Sequence, residues 1–230
     1  MREEANLYLL PQPQEIVVQA GVFGLDAHTL IVLPATAGEE AFFAARQLKD
    51  EINRATGLNL SIVKLFRPHR LDSVIMLVCG KEQAEAFGVE PIQIAAPEAL
   101  ADQAYALTIT PEAITLYAEE STGLFYAVQS LRQMIRLHVH DPLLSCDPGS
   151  PHLPALAVHD WPTLPYRGLM LDISRRKVPT LETLKELVGV LSSYKLNVLQ
   201  LYTEHTFRFA RHPKIGAGCG SLSSEDILAL

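Results

Sequence analysis

Cysteine is scarce in this 230-residue chain, and the three present, Cys79, Cys146 and Cys219, are odd in number and far apart. That spacing argues against a disulfide framework or a clustered zinc site and makes reduced, buried thiols the default expectation. No stretch approaches the ~18 consecutive apolar residues of a spanning helix, so no membrane association is expected. No run of Lys and Arg offsets the acidic excess of 26 Asp plus Glu over 19 Lys plus Arg. A surface with a net charge of −7 repels phosphate backbones, which excludes nucleic acid as an expected partner. The opening Met-Arg-Glu-Glu-Ala-Asn lacks the apolar run of roughly 7–15 residues that marks a secretory signal. These absences together lead to the expectation of a cytoplasmic, globular protein.

A hydrophobic content of 48% is enough for a sizeable core. The length exceeds one average domain of roughly 100–200 residues and falls short of two. In the first half the periodicity alternates. Glu15–Gln19 and Thr29–Leu33 are β-branched runs separated by Gly21, Gly24 and Asp26, which predicts two strands around a turn. Ala41, Ala45, Leu48, Ile52 and Ala55 recur at helical spacing. Leu60–Leu65 and Ser73–Cys79 are extended and apolar, the second in the manner of a central strand. Ala104–Thr110 and Ala113–Ala118 flank a turn and predict a hairpin. Ser121 or Thr122 can cap a helix with a buried stripe of Leu124, Val128, Leu131 and Ile135, next to a Gly123 suited to close backbone packing. The expected architecture is an α+β domain over residues 1–140, one sheet with helices on one face.

From His138 to Pro165 six prolines fall among Asp147, Gly149 and Ser150, a composition through which neither helix nor central strand is expected to run. Residues 141–165 therefore read as a linker. Beyond it, Gly168–Asp172 has the character of a fully buried strand, Thr180 caps a helix with an inward stripe of Leu184, Val188 and Leu191, and Asn197–Tyr202 is a second apolar strand. Strand, helix and strand in about 35 residues make a βαβ unit with parallel strands. Ser223 and Asp226 form a capping-box pattern for one more helix.

Ligands of parallel α/β domains meet the carboxyl ends of the strands. Here those ends carry Asp172-Ile173-Ser174-Arg175-Arg176 and Thr203-Glu204-His205-Thr206-Phe207. An arginine there can clamp vicinal hydroxyls or a carboxylate with its planar fork of donors. The competing reading is that the chain simply re-enters water at these points. His138-Val139-His140-Asp141 has ligand-type residues at period two, a weak metal pattern better read as a solvated loop. Gly216, Gly218 and Gly220 lack the preceding strand and the following lysine of a phosphate loop. Glu204-His205 in a strand context does not form a zinc helix. No metal site and no cofactor are expected. Trp161, beside Pro162, reads as a residue pinning two domains together, with stacking on a sugar as the alternative.

These residues resemble glycoside hydrolase family 20, the β-N-acetylhexosaminidases. Leu9-Leu10-Pro11-Gln12-Pro13-Gln14-Glu15 resembles the opening of the accessory domain that precedes the catalytic barrel. Thr122-Gly123-Leu124-Phe125-Tyr126-Ala127-Val128-Gln129-Ser130-Leu131-Arg132-Gln133 is similar to the last helix of that domain. Tyr166-Arg167-Gly168-Leu169-Met170-Leu171-Asp172-Ile173-Ser174-Arg175 resembles the first barrel strand, and Lys195-Leu196-Asn197-Val198-Leu199 the approach to the second. The resemblance spans nearly the whole chain in the family's order.

It implies an accessory α+β domain followed, over 166–230, by the first βα units of a truncated (β/α)8 barrel. It further implies that Arg175 binds hydroxyls of a terminal N-acetylhexosamine on a glycan, with Asp172 and Arg167 as supporting residues that hold that strand end. The family follows its second strand with a histidine-rich, double-aspartate motif. Here Glu204 or His205 stands in that place, so both join Arg175 as substrate-binding candidates. Hydrolysis in the family is substrate-assisted and retaining: the acetamido carbonyl attacks the anomeric carbon while an Asp-Glu pair on the fourth strand orients it and moves the proton. No catalytic residue is then expected in this chain, and activity is not expected from it alone. Two other readings stay open. One is a carbohydrate- or protein-interaction module. The other is a different glycosidase sharing the accessory domain, such as one acting on glucuronosides. The sequence does not fix an oligomeric state.

Overall fold

Val74–Cys79 is apolar on both parities, so the strand it forms has to be covered on both faces. In the computed structural model, which describes residues 8–67, 72–91, 94–140, 152–175 and 177–230, it lies inside a mixed seven-stranded sheet. The strands are β1 (Glu15–Gly24), β2 (Leu30–Pro34), β3 (Ser61–Leu65), β4 (Val74–Cys79), β5 (Tyr105–Ile109), β6 (Ala113–Ala118) and β7 (His152–Asp160). Their order is β1-β7-β5-β6-β4-β2-β3. β3, β2, β4 and β6 are parallel; β5 is antiparallel to β6 and β7, and β1 to β7.

Helices α1 (Glu39–Thr56) and α3 (Ser121–His140) cover one face. Their stripes, among them Ala45, Leu48 and Ile52 from α1 and Leu124, Val128, Leu131 and Ile135 from α3, are buried against Ile75, Leu77, Leu107 and Leu116 of the sheet. Gly123 allows α3 to start close to the sheet, since a Cβ there would stand 2.2 Å from the carbonyl oxygen of Ala104. The opening segment docks on the same helix: the Gln133 amide donates to the carbonyl of Leu10 and accepts from its N–H.

Two polar clusters lie within this core. Glu51 of α1, 2% exposed, accepts hydrogen bonds from Arg132 and Arg136 of α3. Burial acts to raise the Glu51 carboxyl, but the hydrogen bonds and charges of Arg136 and Arg132 outweigh it and hold the group below its ordinary value. The buried Tyr105 hydroxyl donates to Asp160 of β7 at 2.8 Å and bonds Ser130 of α3 at 2.6 Å.

Several expectations need correction. The helices do not all share one face: α2 (Lys81–Phe87) sets Ala84 and Phe87 against the other side of the sheet, where Val74, Val78 and Tyr117 would otherwise meet water. β1 runs through Gly21 and Gly24, and it pairs with β7, not β2. Within the stretch read as a linker, β7 is an interior strand; residues 141–151 and Cys146 lie outside the described residues. Pro154 is tolerated in β7 because β5 pairs only from Leu156 onward, and β1 bulges between Val18 and Val22 at that level. Of the described thiols, Cys79 is half-buried and Cys219 is exposed.

The chain divides into two compact units between Pro165 and Tyr166. The second holds β8 (Gly168–Asp172), α4 (Leu181–Ser193), β9 (Val198–Tyr202) and α5 (Ser224–Ala229). β8 and β9 pair in parallel, from Gly168 with Val198 to Asp172 with Tyr202. Thr180 caps α4 by accepting from the Thr183 N–H, and Ser223 with Asp226 forms the capping box of α5. Ile173, Leu184 and Leu222 make the small core, with Leu171 and Leu201 packed on it. The strands are not fully buried as expected: side chains alternate, and Met170, Val198 and Tyr202 on the face away from α4 are exposed. Among the described residues no helix is long and apolar enough to cross a membrane.

Candidate functional site at the carboxyl ends of β8 and β9

Gly168 lets the two strands approach closely, because a Cβ there would stand 2.1 Å from the carbonyl oxygen of Val198. From that shared start both strands run five residues to a common carboxyl end, where Asp172 and Tyr202 are register partners. The ladder goes one step further, the Ile173 N–H donating to the carbonyl of Tyr202 at 3.0 Å.

Asp172 works on the turn that follows. Its Oδ1 accepts from the Ser174 N–H at 2.8 Å and from the Ser174 hydroxyl at 2.6 Å. These hydrogen bonds, with Arg175 nearby, hold its carboxyl below the ordinary range, so the group is ionised where the chain enters Arg175. The Arg175 guanidinium then reaches across to the other strand end, with Nη2 3.4 Å from Glu204 Oε1. The same oxygen accepts from the Tyr202 hydroxyl at 3.0 Å. Glu204 has a left-handed backbone with φ of 42°, a conformation that costs about 1–3 kcal/mol in a non-glycine residue. The chain turns back there, and the next residues are tied by the Thr206 N–H and hydroxyl, which both donate to the carbonyl of Thr203.

The structure thus brings Asp172, Arg175 and Glu204 to one place. Of the other two candidates, His205 directly follows Glu204 in the chain and Arg167 lies at the far end of the strand pair. The His205 carbonyl accepts from the Ser221 hydroxyl at 3.2 Å, but among the described residues its ring has no hydrogen-bond partner. Arg167 lies at the start of β8, about 17 Å from Asp172 at roughly 3.3 Å per residue. Its guanidinium donates to the carbonyl of Lys195 from Nε at 3.1 Å and Nη2 at 2.7 Å, while its own carbonyl accepts from the N–H groups of Asn197 and Val198. Arg167 therefore fixes the amino end of the strand pair, the opposite end from that of Arg175.

Tyr202 was not among the sequence candidates. The signal is an aromatic hydroxyl two residues before Glu204, and the apolar pattern of Asn197–Tyr202 reads it as the last residue of a strand. The cluster sets hydrogen-bond donors and acceptors side by side at the strand ends. A charged guanidinium on an exposed side chain offers donors, and a carboxylate beside it offers acceptors. Among the described residues no group of three or more His, Cys, Asp or Glu could hold a metal ion. The side chains of 138–140, and Asp141, lie outside the described residues. Gly216, Gly218 and Gly220 all have positive φ in a run of turns with neither a strand before it nor a helix directly after.

Comparison with known proteins gives the cluster a context. Residues 6–161 match the family described as "Glycosyl hydrolase family 20, domain 2", and residues 164–215 match "Glycosyl hydrolase family 20, catalytic domain". A "Beta-N-acetylhexosaminidase" of Cellulomonas fimi is 37% identical over 101 residues, covering 44% of this chain and 18% of that protein. A "Beta-hexosaminidase" of Vibrio furnissii is 29% identical over 195 residues, covering 85% of this chain and 26% of its own length. The chain therefore spans about a quarter or less of these two relatives. The solved structure of a family 20 β-N-acetylhexosaminidase from Streptomyces coelicolor superposes with a TM-score of 0.72 at 21% identity, covering 94% of this chain and 42% of that one, a likeness of fold.

Proposed function

The chain belongs to glycoside hydrolase family 20, and from that premise we propose that it is the N-terminal part of a retaining exo-β-N-acetylhexosaminidase that removes terminal N-acetylhexosamine from glycans. The observation that carries the reading is the Arg175–Glu204 pair at the shared carboxyl end of two parallel strands, inside the stretch matched to the family's catalytic domain. In this reading β8, α4 and β9 are the first units of a (β/α)8 barrel, whose ligands sit at that end of the strands. Arg175 donates to hydroxyls of the terminal sugar, Glu204 accepts from one, and Asp172 holds the turn that carries Arg175.

The bond-breaking expected of such an enzyme is substrate-assisted. The acetamido oxygen displaces the aglycone at the anomeric carbon, and water then opens the oxazolinium with net retention. A carboxylic acid protonates the leaving oxygen and later takes a proton from that water. The residues of this chain bind and orient; the Asp-Glu pair that the resemblance assigns to a fourth strand is not among them.

The test compares two proteins on a chromogenic N-acetylglucosaminide: these 230 residues, and a chain extended through the remaining barrel strands. Turnover is expected from the second alone, with retention of anomeric configuration followed by NMR of the first-formed product. Turnover by the 230 residues, or an inverted product, overturns the proposal.

A further inference from the structure

We infer that Tyr202 is a positioning residue for the sugar-binding arginine: its hydroxyl fixes the Glu204 carboxylate, and that carboxylate aims the Arg175 guanidinium. The inference rests on the reading of Arg175 as a sugar contact and adds to it the element that gives this exposed side chain a direction.

The side chain of Arg175 is 77% exposed and that of Glu204 37%. An ion pair between two long, solvated side chains is weak and does not by itself select one geometry. Tyr202 is different in kind. It ends β9, and its main chain is held in register with Asp172. Leu171 and Leu201 turn toward the small core with Leu184, so by alternation Asp172 and Tyr202 emerge together on the opposite face. A phenol on a fixed strand has only two side-chain torsions, and its hydroxyl is thereby placed where Glu204 folds back. The left-handed backbone at Glu204 brings the carboxylate over it, and Oε1 accepts from the phenol at 3.0 Å and faces Arg175 Nη2 at 3.4 Å.

Arg175 is then governed from both ends. Asp172, through Ser174, sets the main chain that leads into it. Tyr202, through Glu204, sets its head. One guanidinium N–H is engaged with Glu204, and the remaining donors can address a pair of sugar hydroxyls. The contact also leaves a mark on the phenol: the hydrogen bond to Glu204 and its charge push the Tyr202 hydroxyl above the ordinary tyrosine range.

The experiment uses the full-length enzyme and the same chromogenic N-acetylglucosaminide, with Tyr202→Phe, Glu204→Gln, the double variant and Arg175→Ala. Tyr202→Phe is expected to raise KM about three- to tenfold with kcat held within about twofold, the loss of one orienting hydrogen bond. It should add nothing further on top of Glu204→Gln, and its melting temperature should match that of the wild type. In the 230-residue chain, absorbance titration should show the Tyr202 phenol falling back toward the ordinary range in Glu204→Gln. A KM unchanged in Tyr202→Phe, losses that multiply in the double variant, or a phenol indifferent to Glu204→Gln overturns the positioning role. If Arg175→Ala costs activity while Tyr202→Phe is silent, the positioning role alone fails. If Arg175→Ala leaves kcat/KM untouched, the sugar-contact reading fails and takes the inference with it.

Discussion

Arg132 donates two hydrogen bonds to the carboxylate of Glu51, from Nε at 3.2 Å and Nη2 at 3.0 Å, across 81 positions of sequence. Both residues are buried, and Arg136 joins from the next turn of α3. The cluster locks α1 to α3 above the sheet. Glu51→Gln removes the negative charge and leaves Arg132 buried without it, a change expected to cost about 3 kcal/mol. The urea midpoint of the first unit measures this. A shift equivalent to less than about 1 kcal/mol would equate the cluster with a surface pair.

The same carboxyl sets an acid dependence. Its folded-state value is depressed, so its contribution is complete above the unfolded-state value of about 4.3 and fades as pH falls through the lower folded-state value. The stability gap between wild type and Glu51→Gln should therefore be widest above the unfolded-state value and narrow as pH falls below it. Urea midpoints on either side of that value check it, and a gap that widens on acidification contradicts the sign.

Tyr105→Phe tests the second buried cluster. It deletes a donor to Asp160 and the link to Ser130, and about 1–3 kcal/mol of stability should go with it. Burial, and then the Asp160 charge, push this phenol well above the ordinary range, so in alkaline absorbance titration Tyr105 should stay silent until the unit unfolds. Early ionisation would place the hydroxyl in water.

Gly168→Ala addresses the strand pair. Its Cβ would meet main chain at 2.1 Å, and main chain cannot swing aside as a side chain does. The strands have to separate, at a cost of at least about 1–3 kcal/mol. Hydrogen exchange should show faster amides throughout β8 and β9 with the first unit unchanged.

Much of this fold could be read from periodicity. α1 and α3 announced themselves by stripes at helical spacing, and every residue named in the α3 stripe is buried. The β8–β9 pair and the caps at Thr180 and Ser223 were legible for the same reason: short-range chemistry decides them. β7 was not. Pro154 and the prolines flanking it argue against an interior strand, and what overrides them is the bulge in β1, a partner far away in sequence. Burial of β8 and β9 was misjudged because an apolar run says what a strand can pack against, not what packs against it. At the site, the rule that parallel strands present ligands at their carboxyl ends picks out the two stretches, and the family resemblance singles out Asp172, Arg175, Glu204 and His205 within them. Arg167 was misassigned because a residue beside the motif can serve either end of a strand, and Tyr202 was missed because hydrogen bonding between exposed groups leaves no trace in hydrophobic pattern.

β1 and β7 meet with Glu15 opposite His159, 144 residues apart. At a synthesis rate of about 5–20 residues per second, the first strand waits for many seconds on the ribosome before β7, its one partner strand among the described residues, exists. During that interval Val17, Val18 and Val22 sit on an open backbone ladder, the kind of edge that other chains can extend. The sheet closes last at the place where it began, so folding of this unit is governed by a long-range event that local helix formation cannot hasten. A cut at residue 140 would remove that closing strand and expose the edges of both β1 and β5. The shortest piece of this chain that can finish its sheet therefore has to reach Asp160.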